Sequence, residues 1–134
     1  MDREKGKLRY LIPLIICFLL VTAVHLPAAE RQALQPTLNS MDFYGYIEGA
    51  QRGDEVTVYD GQNVLCGRFV ADKDGRYGFL HVYGDDKGTA VDEGADRNEL
   101  LTFRLNGSSL APVPQQELRW LGDGQKLRVD FISK

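Results

Sequence analysis

The sequence is poor in the groups that staple a fold or carry out chemistry. Its 134 residues hold two cysteines and two histidines, and Cys17 and His25 fall within the first 29 residues, so Cys66 and His81 are all that remain beyond them. That remainder cannot form an intrachain disulfide, and one chain cannot supply the three or four nitrogen and sulfur ligands of an ordinary zinc site. Helical periodicity is missing too. No stretch of ten or more residues after position 29 carries a 3.6-residue apolar repeat between caps, so no substantial helix is expected there. Cations are scarce as well. Four of the 16 Lys and Arg and two of the 19 Asp and Glu lie in the first 29 residues, which leaves 12 basic and 17 acidic side chains and a net charge of −5. That sign argues against nucleic acid or anionic lipid as a partner, because both need clustered cations to displace counterions. A nucleophile elbow is absent, and Gly122-Asp-Gly124 lacks the third glycine and the strand-to-helix setting of a phosphate loop. A non-enzymatic protein is expected.

There is one long hydrophobic run. A charged head (Met1 to Arg9) precedes the uncharged apolar stretch from Tyr10 to Val24, and His25-Leu-Pro-Ala-Ala29 follows. This three-part layout reads as a signal peptide over residues 1–29, an N-terminal signal helix cleaved near Ala28 or Ala29, and so as a secreted or periplasmic protein. The competing reading is an uncleaved anchor, with residues 10–29 as a tilted span. Membrane contact is then expected only through that leader. The remaining 105 residues are enough for one compact domain and too few for two.

Residues 30–40 contain Pro36 and no sustained period, and read as a linker or extended lead-in. From residue 41 to residue 134 the chain becomes short β-rich runs punctuated by Gly, Asp and Asn, namely 43–48, 55–60, 64–71, 76–83, 100–105, 117–121 and 126–132. Seven such runs predict an all-β, seven-stranded antiparallel β-sandwich. Asp60-Gly-Gln-Asn63, Asp72-Lys-Asp-Gly75 and Gly122-Asp-Gly-Gln125 read as the tight turns. Alternation points Phe43, Gly45, Ile47, Val56, Val58, Leu101, Phe103, Leu105, Leu127, Val129 and Phe131 inward, and Tyr44, Tyr46 and Glu48 outward. The run Tyr77 to Tyr83 is apolar on both faces and is expected to be central and covered on each side.

Cys66 sits in a strand-like run and reads as a buried, inert thiol, and His81 as a packed core histidine. The residues from Asp85 to Glu99 hold six carboxylates and two cations. Calcium takes six to eight oxygens in irregular geometry, so Asp85, Asp86, Asp92, Glu93 and Asp96 are the candidate metal ligands, although their spacing is not that of an EF-hand. The alternative is a solvated loop in which Lys87 and Arg97 offset the repulsion. Aromatic residues offer a second candidate surface. Tyr44 and Tyr46 share an outward face, which Tyr59 and Trp120 join if their strands are neighbours, and exposed rings beside polar groups suit the faces of sugars.

Gly45-Tyr-Ile47, Asp54-Glu-Val-Thr-Val-Tyr59 and Phe69-Val-Ala-Asp-Lys-Asp-Gly-Arg-Tyr-Gly-Phe79 resemble carboxypeptidase regulatory-like domains of the transthyretin-like (prealbumin-like) β-sandwich group. Leu65-Cys-Gly-Arg-Phe69, Tyr77 to Asp86, Asp92-Glu-Gly-Ala95 and Phe103-Arg-Leu-Asn-Gly107 resemble a repeat of exported bacterial surface proteins. The resemblance implies a Greek-key sandwich without catalytic machinery. The implied role is an accessory or adhesive module for cell-envelope structure or protein interaction, with an envelope protein or polysaccharide as partner. Carbohydrate binding through the tyrosine face is the alternative.

Overall fold

The structure, a computed structural model, describes residues 32–134. The alternating runs form eight strands: β1 (Ser40–Tyr46), β2 (Glu55–Tyr59), β3 (Leu65–Val70), β4 (Arg76–Tyr83), β5 (Thr102–Leu105), β6 (Ser108–Val113), β7 (Lys126–Arg128) and β8 (Asp130–Ser133). They make one mixed sheet in the order β7-β1-β4-β3-β2-β5-β6-β8. The two ends of that order are consecutive in the chain, so they meet at Val129, and a parallel bridge between Ile47 and Phe131 continues the contact. The sheet is thus nearly closed as a barrel, an arrangement that leaves little edge unpaired.

Val129 is the hinge of this closure. Its N–H donates to the Tyr44 carbonyl at 2.9 Å, and its carbonyl accepts from the buried Tyr77 hydroxyl at 2.6 Å. The last strand can therefore leave β1 and join β6 without abandoning backbone groups at the crossing. Gly45 lies against this point with φ +153°, and a Cβ there would collide with the Val129 carbonyl, so glycine is required. Beneath it the interior is aromatic. Phe103 packs on Phe43 at 5.0 Å and on Phe131 at 4.9 Å between ring centroids, and Tyr77 packs on Phe131 at 5.7 Å. Such pairs add about 0.5–1.5 kcal/mol each beyond the area they bury.

The all-β expectation holds, and no helix occurs among the described residues. Phe43, Ile47, Val56, Val58, Phe103, Val129 and Phe131 are buried as alternation predicts. The strand count and pairing differ from expectation. The run 126–132 divides at Val129 into β7, which is parallel to β1, and β8, which is antiparallel to β6. The pairing is therefore mixed rather than antiparallel throughout. Residues 117–121 contribute only the bridge Leu100–Arg119, while residues 108–113 form a strand that was not expected. The Gly122 to Gln125 turn is consequently no hairpin. It directs the chain onto β1, where Ser40 N–H donates to Asp123 Oδ1 at 2.9 Å and Asp42 N–H to the Gln125 carbonyl at 2.8 Å. The expected signal helix lies outside the described residues.

Candidate functional site

Strand β4 departs from simple alternation at one place, and that departure builds a groove. Phe43 pairs with Leu80 and Gly45 with Tyr77, so Gly78 and Phe79 together oppose Tyr44 in a β-bulge. Phe79 adopts φ +43°, a left-handed conformation that costs a residue with a side chain roughly 1–2 kcal/mol. The extra residue resets the faces. Tyr77, Leu80 and Val82 point into the core, and Phe79 is turned outward, 57% exposed, against Tyr44 with 5.7 Å between ring centroids. Bulges commonly re-aim a side chain in this way near functional surfaces.

Around that pair the outer faces of β7, β1 and β4, with the β3–β4 turn, line a groove of about 560 Å³. Tyr46, half exposed, lies on its wall between two guanidinium groups, Arg76 and Arg128, each 5.7 Å from the ring centroid. Lys126 Nζ lies 5.7 Å from the Phe79 ring centroid. Lys73 also lines the groove, where Asp72 is the only lining carboxylate among the described residues. Arg128 additionally reaches Asp130 Oδ2 at 3.3 Å. A chain with a surplus of acids therefore presents a locally basic, aromatic face. Of the four aromatic candidates, the structure brings Tyr44 and Tyr46 to this groove. Tyr59 lies under Arg104 at 4.4 Å on β2, and Trp120 is buried, its indole N–H donating to the Val82 carbonyl at 2.9 Å. Phe79, Arg76, Lys126, Arg128 and Lys73 were not among the expected residues. The available signal was Gly78 inside a strand-like run, a frequent mark of a bulge.

The acidic connection is organised differently. Lys87 occupies its centre, with its ammonium on Asp85 Oδ2 at 2.9 Å and on Asp96 Oδ1. These contacts hold the Asp85 carboxyl below, and the lysine above, their ordinary ranges. Asp85 Oδ1 also accepts from the Glu93 N–H at 3.1 Å. Asp86 accepts from Gly88 N–H at 2.8 Å, an Asx turn closed on itself. Asp92 is exposed and accepts a backbone hydrogen bond from Gly94 N–H. Local desolvation, reinforced by the negative charge of Asp60 and Asp85, still pushes its pKa up. Of the five candidate calcium ligands, Asp85 and Asp96 therefore share a cation, which is the chain's own Lys87. Among the described residues no group of three or more His, Cys, Asp or Glu side chains is arranged to hold a metal ion.

The connection is pinned from below. Ala95 is buried, Ala95 N–H donates to the Tyr83 carbonyl at 3.0 Å, and Asp85 N–H returns to the Ala95 carbonyl at 3.0 Å. Gly84 lies directly on Trp120, where a Cβ would stand 2.5 Å from the indole. Cys66 is buried, and its thiol is pushed up in pKa mainly by that burial, with the negative charges of Asp60 and Glu99 adding to the effect. His81 departs from expectation. It is exposed on the outer face of β4 and paired with Asp42, because the bulge at Phe79 shifts the alternation that had placed it in the core.

No family model, no curated protein and no solved structure matches the chain.

Proposed function

We propose that this protein is a non-enzymatic, exported binding module that holds a carbohydrate in the groove formed by Tyr44, Tyr46 and Phe79. The observation that carries the reading is the outward Phe79 ring, kept against Tyr44 at the cost of a left-handed backbone. Strain of this kind persists where the surrounding structure over-determines it, and it clusters at binding sites. Exposed aromatic rings beside hydrogen-bond donors, here Tyr44 and Phe79 next to Arg76, Arg128 and Lys126, suit sugar rings, which present C–H faces and hydroxyl rims. The wider expectation of a module for envelope structure or protein interaction would use the same face, and the rings beside donors favour the sugar. Kinship with carboxypeptidase regulatory-like Greek-key sandwich repeats belongs to the proposal, supported by the β3–β4 hairpin that carries Asp72-Lys-Asp-Gly75. Export is supported by the signal-like order of residues 1–29. Calcium, as the companion idea, would have to compete with Lys87 for Asp85 and Asp96.

Glycan-array binding by the purified protein tests the reading. Binding that is lost in Tyr44→Ala and Phe79→Ala, both folded by circular dichroism, is expected. Binding unchanged by both substitutions would overturn it.

A further inference from the structure

We infer that the ligand of the groove is an acidic polysaccharide, one whose sugar rings carry carboxylates, as uronic acids do. The inference rests on the carbohydrate reading above and goes beyond it by fixing the charge of the ligand. Net charge alone points the other way, since acids outnumber bases along the chain. The groove reverses that balance. Among the described residues Lys73, Arg76 and Arg128 line it against one lining carboxylate, Asp72, with Asp130 beside it paired to Arg128, and Lys126 stands over the Phe79 ring. Arg76 and Lys126 make no ion pair with any carboxylate among the described residues, so their charge is directed at the rings and the solvent beside them. Arg76 and Arg128 lie over the Tyr46 ring and Lys126 over the Phe79 ring, each 5.7 Å from the centroid, and among the described residues no cation lies over the Tyr44 ring between them. A sugar stacked on Tyr44, against the edge of Phe79, therefore brings a ring carboxylate toward these cations, and a guanidinium's planar fork matches a carboxylate through two parallel hydrogen bonds. A neutral sugar would leave these cations unused, and the positive potential would add nothing to its binding. An acidic polymer also gains in encounter rate from the potential, despite the overall negative charge, because a basic cleft acts locally.

The test is isothermal titration of the full chain with three probes: polygalacturonate, a neutral polymer (amylose), and polyglutamate. Polygalacturonate is expected to bind most tightly and to weaken as salt rises. Arg76→Gln and Lys126→Gln, both on exposed side chains, are each expected to weaken it about tenfold, the scale of a lost charge-assisted hydrogen bond. Phe79→Ala is expected to weaken it as well, whereas Lys87→Gln, outside the groove, leaves it unchanged. Equal or tighter binding of amylose, still lost in Phe79→Ala, would overturn the acidic-ligand inference and leave the carbohydrate reading standing. Polyglutamate binding as tightly as polygalacturonate, with no dependence on Phe79, would overturn both in favour of simple ion attraction or an acidic peptide partner. No binding to either polysaccharide would also overturn both. Thermal melting of each variant separates a lost contact from a lost fold.

Discussion

The acidic connection from Asp85 to Glu99 and the groove on β7, β1 and β4 carry opposite charge and use it in opposite ways. In the connection, the carboxylates of Asp85, Asp86 and Asp96 accept from Lys87, from Glu93 N–H and from Gly88 N–H, so these acceptors are engaged in shaping the loop itself. In the groove, Arg76 and Lys126 face aromatic rings, and Tyr46 and Phe79 remain half exposed or more. The contrast teaches that density of charge in a sequence is a poor guide to a ligand. What matters is whether the charges have already found partners within the chain.

Four changes break or sharpen the contrast. Trp120→Ala removes the support beneath Gly84 and is expected to cost about 3–5 kcal/mol, read as a fall in the denaturant midpoint. A loss below about 1 kcal/mol would mean that the connection is not pinned from below. Tyr77→Phe leaves the buried Val129 carbonyl without its hydroxyl donor and is expected to cost about 1–3 kcal/mol, without altering the far-ultraviolet spectrum. Phe79→Gly relieves the left-handed strain and removes the ring from the groove. It is expected to leave stability unchanged or raise it by up to about 1 kcal/mol while abolishing ligand binding, a separation seen by running melting and titration on one sample.

The smallest effect is a pH dependence in the connection. Asp85, held low chiefly by Lys87, contributes stability above the ordinary Asp value of 3.8, and that stability is lost as pH falls through its lower folded value. Asp92 has the opposite sign. Raised chiefly by desolvation but exposed and so largely screened by solvent, it destabilises only slightly at neutral pH and is relieved when it takes up its proton first on acidification. The melting temperature is therefore expected to rise slightly and then fall as pH is lowered from neutrality. Lys87→Gln is expected to lie below the parent at neutral pH and to converge with it in acid. Parallel curves at every pH would contradict the role given to Lys87.

Much of the barrel was legible in the sequence, because half-buried strands write their inward faces at every second position, as in Phe43 and Ile47 or Val56 and Val58. The misses have particular causes. Strand β6 contains Pro112, which removes a ladder donor and masks the run, even though Asn106-Gly107, with φ +47° and +85°, is a strong hairpin signal just before it. The parallel pairing of β7 with β1 depends on where the chain closes on itself, which no local pattern encodes. Trp120 joins the tyrosine face only if residues 117–121 pair as a strand beside it, and they do not. They do bury Leu118 and Trp120, but against the connection and β4 rather than as a ladder. The groove was half visible. Tyr44 and Tyr46 follow from alternation, while Phe79 and the flanking cations depend on a bulge of one residue, which flips every face after it.

The most direct measurement is a heteronuclear NMR titration of the ¹⁵N-labelled protein with an oligogalacturonate. The account predicts chemical-shift changes at the amides of Tyr44, Tyr46, Gly78 and Phe79, saturating together, with the amides from Asp85 to Asp96 unmoved. Shifts confined to Asp85 to Asp96, or none in the groove at saturating ligand, would contradict it.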